Sequence, residues 1–416
     1  MSSHEHHHLR HAHAATVLKN LGTGVGILSA AAPSLTDEDW SGLSKRVGHV
    51  RLCGGIVEPL IDWSTCPGAT RRFKNDSLAV ATLRRSRHFT RFKASAEAAR
   101  RAGLAVVLNP MHKLHTLEIS ADTLRWVWLA MLAEFADATL WPTDRVVFEL
   151  VNEPGNYHNH TTSTRFVELL PQLLSLVATA QPERALIVGG EMGYRAGGDP
   201  NDFVNSGPAI ILDAPHIKRL AHRYPQLIAT FHFYRPRAFT NIGFPEISVP
   251  QSRWLGQPSD VADLATQFDE IHGAFNGSGV PIYLGEFGLN VDFIPRLSDG
   301  VAWLTAVRQL SEARGIGWAF WTYYLSPKAA TTSHTAAKRL MQWDCSVLCA
   351  ALFGGQVRSG AEHCPPRNTT AVRADGFAQS REWKSVHHVT HSAPSRRLQA
   401  VDCNDRRPLY AIGMLG

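Results

Sequence analysis

Short runs of consecutive apolar residues, many of them β-branched, alternate along the chain with longer stretches in which apolar positions recur every three or four residues. Eight runs stand out: GTGVGIL (22–28), HVRLC (49–53), LAVVLN (104–109), RVVFELVN (145–152), RALIVGG (184–190), LIATFHFY (227–234), PIYLGEF (281–287) and GWAFWTY (317–323). They are shorter than helices and lack the apolar–polar alternation of a strand with one wet face, so they predict strands covered on both sides. Between them DEDWSGLSKRV, RFKASAEAARRAG, ADTLRWVWLAMLAEFADA, TRFVELLPQLLSLVATA, ADLATQFDEIHGAF and DGVAWLTAVRQLSEARG carry helical spacing. Strand and helix in alternation define an α/β class, and eight strands favour a closed (β/α)8 barrel, here over residues 20–353, rather than an open sheet.

The two ends break the pattern. Residues 1–19 hold His4, His6, His7, His8, His11 and His13 in a low-complexity stretch, expected to be disordered and without a metal role. It has no basic start leading into an apolar core and a cleavage site, so no signal peptide is expected. Residues 354–416 are rich in Pro, Ser, Arg and His without apolar periodicity and are expected to form a poorly structured basic tail.

Composition narrows the function classes. Of the +6 formal charge most lies in that tail, where residues 355–416 hold nine basic against five acidic side chains. The body is near neutral and shows no basic stripe interleaved with aromatics, which argues against nucleic acid as a partner. No apolar run approaches the roughly 18 residues of a membrane span. The six cysteines, at 53, 66, 345, 349, 364 and 403, are too scattered for a disulfide scaffold or a zinc knuckle. Sequons at Asn75, Asn159, Asn276 and Asn368 leave the compartment open.

In a barrel the chemistry sits at the carboxyl ends of the strands, and polar residues crowd those positions here. The fourth strand ends in Asn152-Glu153-Pro154, the sixth in His232-Phe233-Tyr234 and the seventh in Gly285-Glu286-Phe287-Gly288. The second carries Arg51, the third leads to His112 and, in a less certain register, His115, and the eighth presents Trp321. Two carboxylates from separate strands at one barrel mouth supply what glycoside hydrolysis requires, one group to protonate the leaving oxygen and one to attack or to activate water. Glu149, inside the fourth strand, reads as a hydrogen-bonded core carboxylate. Glu191 reads as a loop residue away from the chemistry, and Trp63 and Trp254 either as sugar platforms or as packing.

FELVNEPGN, TFHFYRPRAFTN, PIYLGEFG and GIGWAFWTYY resemble the motifs of strands four, six, seven and eight of glycoside hydrolase family 5, and HVRLC and VVLNPMH resemble those of strands two and three. The resemblance implies a retaining endo-β-glycanase acting on internal β-1,4-glucosidic bonds without a cofactor or metal. It implies Glu153 as acid/base, Glu286 as nucleophile and Asn152 on the sugar 2-hydroxyl. Arg51 and Tyr234 would hydrogen-bond the nucleophile, Arg51 holding its carboxyl ionised at low pH so that Glu153, facing that charge, carries the proton; His112 and His232 would line the catalytic subsite, and Trp321 would stack under a sugar ring. The implied partner is a poly- or oligosaccharide, and secretion is the family's expectation although no signal peptide is seen; the oligomeric state stays open, with a monomer as the expectation. β-Mannan and β-1,3-glucan remain alternative substrates, and a catalytically silent carbohydrate-binding barrel remains an alternative of another class. Cys53 departs from the family, which often continues with RLP at this point.

Overall fold

The structure, a computed structural model, describes residues 3–29, 32, 35–60, 71, 73–111, 120–153, 160–189, 207–240, 253–289 and 296–321. Eight parallel strands, β1 (Thr23–Leu28), β2 (His49–Cys53), β3 (Ala105–Asn109), β4 (Val146–Glu149), β5 (Leu186–Gly189), β6 (Leu227–Phe233), β7 (Ile282–Phe287) and β8 (Gly317–Phe320), pair in sequence order and close on themselves through β8 and β1. Every one of the eight apolar runs becomes a strand. The helices are α1 (Ser3–Leu21), α2 (Asp37–Ser44), α3 (Asp76–Arg85), α4 (Arg87–Arg101), α5 (Ala121–Phe135), α6 (His160–Ala180), α7 (Gly207–Arg223), α8 (Arg237–Thr240), α9 (Pro258–Phe275) and α10 (Leu297–Ala313). Among the described residues no helix is long and apolar enough to cross a membrane.

Period-two alternation sorts the strand residues into two cores. Val25, Ile27, Val50, Leu52, Val106, Leu108, Phe148, Leu186 and Leu284 join the large cluster shared with the surrounding helices. The alternate residues Ala105, Val107, Val147, Ile187, Ile228, Tyr283 and Ala319 form a second, inner cluster. Helix starts are set by local chemistry: Thr36 and Asp39 make a reciprocal capping box for α2, and Asn75, Ser86 and Ser120 cap α3, α4 and α5 with their side-chain oxygens.

The expectation of a disordered segment over residues 1–19 is corrected by α1. Ala14, Val17, Leu18 and Leu21 recur at helical spacing, are buried, and belong to the inner cluster. A side chain built at Gly317, the first residue of β8, would sit 2.8 Å from Leu18, so this helix closes the amino-terminal end of the barrel. Burial of that apolar stripe overrides the polar composition of the residues before it. The 354–416 tail lies outside the described residues.

Just above the plug His49 lies across the barrel floor. Its Nδ1 is 3.1 Å from the Leu21 carbonyl and its Nε2 is 2.9 Å from the Tyr283 hydroxyl. Gly24 of β1 makes room for the ring, because a Cβ there would stand 2.2 Å from it. Burial lowers the His49 pKa to about 4, so the ring is neutral: Nδ1 donates to the carbonyl and Nε2 accepts from the tyrosine.

Candidate active site

Above this floor the inward-facing positions turn from apolar to ionisable. Arg51 of β2 is fully buried and its guanidinium reaches across the barrel. Nε and Nη2 donate to the two carboxylate oxygens of Glu149 at the end of β4, each at 2.6 Å. Nη2 also donates to Asn152 Oδ1 at 2.6 Å, and Nη1 donates to Glu286 Oε1 at 2.6 Å and to Cys53 Sγ at 3.3 Å. Glu286, 4% exposed at the end of β7, receives the Tyr234 hydroxyl on its second oxygen at 2.9 Å. A register shift in β7 between Leu284 and Phe287 surrounds Glu286 and accompanies its approach to the axis, as bulges re-aim side chains at barrel rims.

Glu153 comes from the turn after β4 and is the sole described non-glycine residue with positive φ, at 41°. Such backbone carries strain of order 1 kcal/mol and persists where the surroundings over-determine it. Here the surroundings include His232 of β6, whose Nδ1 lies 2.6 Å from Glu153 Oε1 and 3.6 Å from Glu286 Oε2. Donor atoms of Glu153, His232 and Glu286 all lie within 4.8 Å of one another. A divalent cation accepts such a donor set, but hydrogen bonds already engage it, with His232 on Glu153 and Glu286 on Arg51 and Tyr234.

The electrostatics depart from expectation at one point. The Glu286 carboxyl is raised above its ordinary value rather than held low: burial raises it, and the nearby His232 and Arg51, which favour the charged form, do not overcome burial. The charge of Glu153 adds to the effect of burial, while Arg51 commits two of its three nitrogens to Glu149. His232 is opposed by burial, yet the charge of Glu286 and the bond to Glu153 outweigh it and raise its pKa. Burial first, then the neighbouring carboxylates, pushes the Tyr234 phenol well up, so it stays a proton donor.

Six of the eight residues singled out from sequence, Arg51, Asn152, Glu153, His232, Tyr234 and Glu286, form this hydrogen-bonded group. Trp321 stands beside it after β8. Its backbone N–H donates to Phe287 O at 2.8 Å, and its half-buried ring packs on Gly26 of β1, where a Cβ would lie 2.4 Å away. His112, His115, Trp63 and Glu191 lie outside the described residues. Trp254 is 2% exposed within the hydrophobic core, which makes it packing. Residues not singled out for the site also touch it: Glu149, Cys53, and Asn109 at the end of β3, whose amide is 3.5 Å from Asn152 Oδ1. Asn109 ends an apolar strand on a polar residue, the same signal that marked the others.

A closed eight-stranded barrel with two carboxylates facing each other at the carboxyl ends of β4 and β7 defines the class, and the chain belongs to the cellulase family, glycosyl hydrolase family 5, whose model matches residues 69–325. Endoglucanase H of Acetivibrio thermocellus is 27% identical over 183 residues, 43% of this chain and 17% of that protein's length. Among solved structures, a hyperthermophilic endo-β-1,4-glucanase in complex with substrate aligns at a TM-score of 0.58 and 20% identity, covering 82% of this chain and 99% of the other. Cel5A of Thermotoga maritima in complex with mannotriose aligns at 0.56 and 20%, covering 81% and 99%. These structural likenesses speak for the fold. Arg51 precedes the span matched by the family model and joins the site through β2.

Proposed function

We propose that the protein is a retaining endo-β-glycanase that hydrolyses internal β-1,4-glucosidic bonds by double displacement, with Glu286 as nucleophile and Glu153 as acid/base. The observation that carries this reading is the approach of the two carboxylates to within 4.8 Å. Retaining enzymes hold their carboxyl groups about 5–5.5 Å apart, whereas inverting enzymes leave about 6.5–9.5 Å for a water molecule.

In the first step Glu153 gives its proton to the glycosidic oxygen as Glu286 attacks the anomeric carbon, breaking the C–O bond and forming a glycosyl ester. Esterification removes the negative charge of Glu286, and Glu153, now a carboxylate, takes a proton from the water that attacks the same carbon from the vacated side. Arg51 and Tyr234 aim Glu286 at the start of the cycle and receive it as leaving group at the end. His232 orients Glu153 through Oε1. Because donors from Arg51 and Asn109 converge on Asn152 Oδ1, the Asn152 amide nitrogen is the end turned to the sugar 2-hydroxyl, where its bond strengthens as the oxocarbenium ion develops. Trp321 offers an apolar ring face to a pyranose.

Carboxymethyl cellulose, mannan, xylan and laminarin, offered in parallel, test the substrate class, with release of reducing ends expected on the first. β-Mannan is the second reading, since the T. maritima protein of the same fold holds mannotriose. Glu153→Gln is expected to abolish turnover of oligosaccharides while sparing aryl β-cellobiosides with good leaving groups by about 100-fold relative to them. Equal losses on both would remove Glu153 from the acid/base role, and oligosaccharide binding without turnover by the wild-type protein would favour a carbohydrate-binding barrel instead.

A further inference from the structure

Glu149 takes no part in the bond-breaking steps above, yet it is 1% exposed and makes the two-pronged contact that no other carboxylate makes with Arg51. A guanidinium has five N–H donors, and in Arg51 each has an acceptor: two on Glu149, one on Asn152, one on Glu286 and one on the Cys53 sulfur. The fork on Glu149 fixes the plane of the guanidinium, and that plane fixes the directions of the bonds to Glu286 and Asn152.

We propose that Glu149 is a positioning residue of the glycosidase reaction, acting through Arg51: it locks the guanidinium that aims the nucleophile and turns the Asn152 amide, and it divides one buried cation between two carboxylates. This inference rests on the proposed double displacement for its kinetic part and on the ion-pair geometry alone for its energetic part.

Charge sharing has a signature that mere packing lacks. With Glu149 neutralised, Arg51 still has Glu286; with Glu286 neutralised, it still has Glu149. Either single change leaves one balanced buried pair, while both together strand a buried cation, the arrangement that is strongly destabilising. Neutralising Glu149 also removes a competing negative charge and gives Arg51 wholly to Glu286, which favours the ionised nucleophile.

The test compares the full chain with E149Q, E149D, E286Q and the E149Q/E286Q double variant. For E149Q, kcat is expected to fall about 100-fold from misplacement of the reacting groups, with KM changed far less. The acidic limb of its kcat/KM profile is expected to move to lower pH by about half a unit or more. E149D, which keeps the charge, is expected to keep the wild-type limb. In thermal unfolding each single neutralisation is expected to stay close to wild type, and the double variant to lose far more than the sum of the two. Wild-type kcat and an unmoved limb in E149Q, or additive losses in the thermal cycle, would overturn the proposal. A wild-type chain that turns over no glycan would instead overturn the proposed function, and the thermal cycle would still decide whether Arg51 is shared.

Discussion

As the proposed nucleophile Glu286 would have to be charged to attack, and it is placed where charge is penalised. Burial raises its pKa above the ordinary 4.5, and Arg51, divided between two carboxylates, does not reverse the shift. A carboxyl that holds its proton more tightly in the folded than in the unfolded state destabilises the fold as pH climbs. The loss is absent below about pH 4.5 and complete above the raised value. Glu286→Gln is therefore expected to unfold slightly above wild type at pH 7, with the gain vanishing at pH 4; a scanning calorimetry trace with a constant difference at both pH values would contradict this. At this scale the meeting of Arg51, Asn152, Glu153, His232, Tyr234 and Glu286 at one barrel mouth was largely legible. A strand that ends on Asn152-Glu153 or on Glu286 has no packing reason to do so, and the barrel rule supplies the functional one. The raised pKa of Glu286 was not legible, because it depends first on burial in the closed barrel and then on the charges of His232, Arg51 and Glu153 around it, which no local pattern encodes.

Strands were the most readable elements, since continuous apolar runs have few other uses in a chain of this composition. Helices were less so. α7 carries Pro215 inside it, and a proline within an apolar periodic stretch suggests an ending rather than a helix. α1 was hidden by its histidines, which describe its start, whereas the four residues that dock it, Ala14, Val17, Leu18 and Leu21, occupy its end. The plug is tied to the barrel by His49, which must be neutral to accept from Tyr283 while donating to the Leu21 carbonyl. Its pKa is lowered from 6.5 to about 4 by burial, so the folded state resists protonation that the unfolded chain accepts. Stability from this group is whole above about pH 6.5 and is lost as pH falls toward 4, a loss of about 3 kcal/mol. Denaturant unfolding at pH 7 and pH 4 is expected to show that component in wild type and its absence in His49→Gln. An equal pH dependence in both proteins would mean that the ring is not the linkage.

Across the whole molecule the barrel converts residues remote in sequence into neighbours. Arg51, Glu149, Asn152, Glu153, His232, Tyr234 and Glu286 come from β2, β4, β6 and β7 or the turns that follow them, and meet because ring closure through β8 and β1 points those strand ends at one mouth. The floor beneath is occupied by His49, Tyr283 and the α1 plug. The surroundings of the two acids differ: Glu286 is held by a cation and a phenol, Glu153 by a histidine. The most direct measurement is to trap the glycosyl ester with an activated 2-deoxy-2-fluoro-β-cellobioside and locate it by peptide mass spectrometry. Double displacement at Glu286 predicts a time-dependent loss of activity and one fluorocellobiosyl group on the peptide containing Glu286. A modified peptide lacking Glu286, or hydrolysis of the natural substrate to a product of inverted configuration with no adduct, would contradict it.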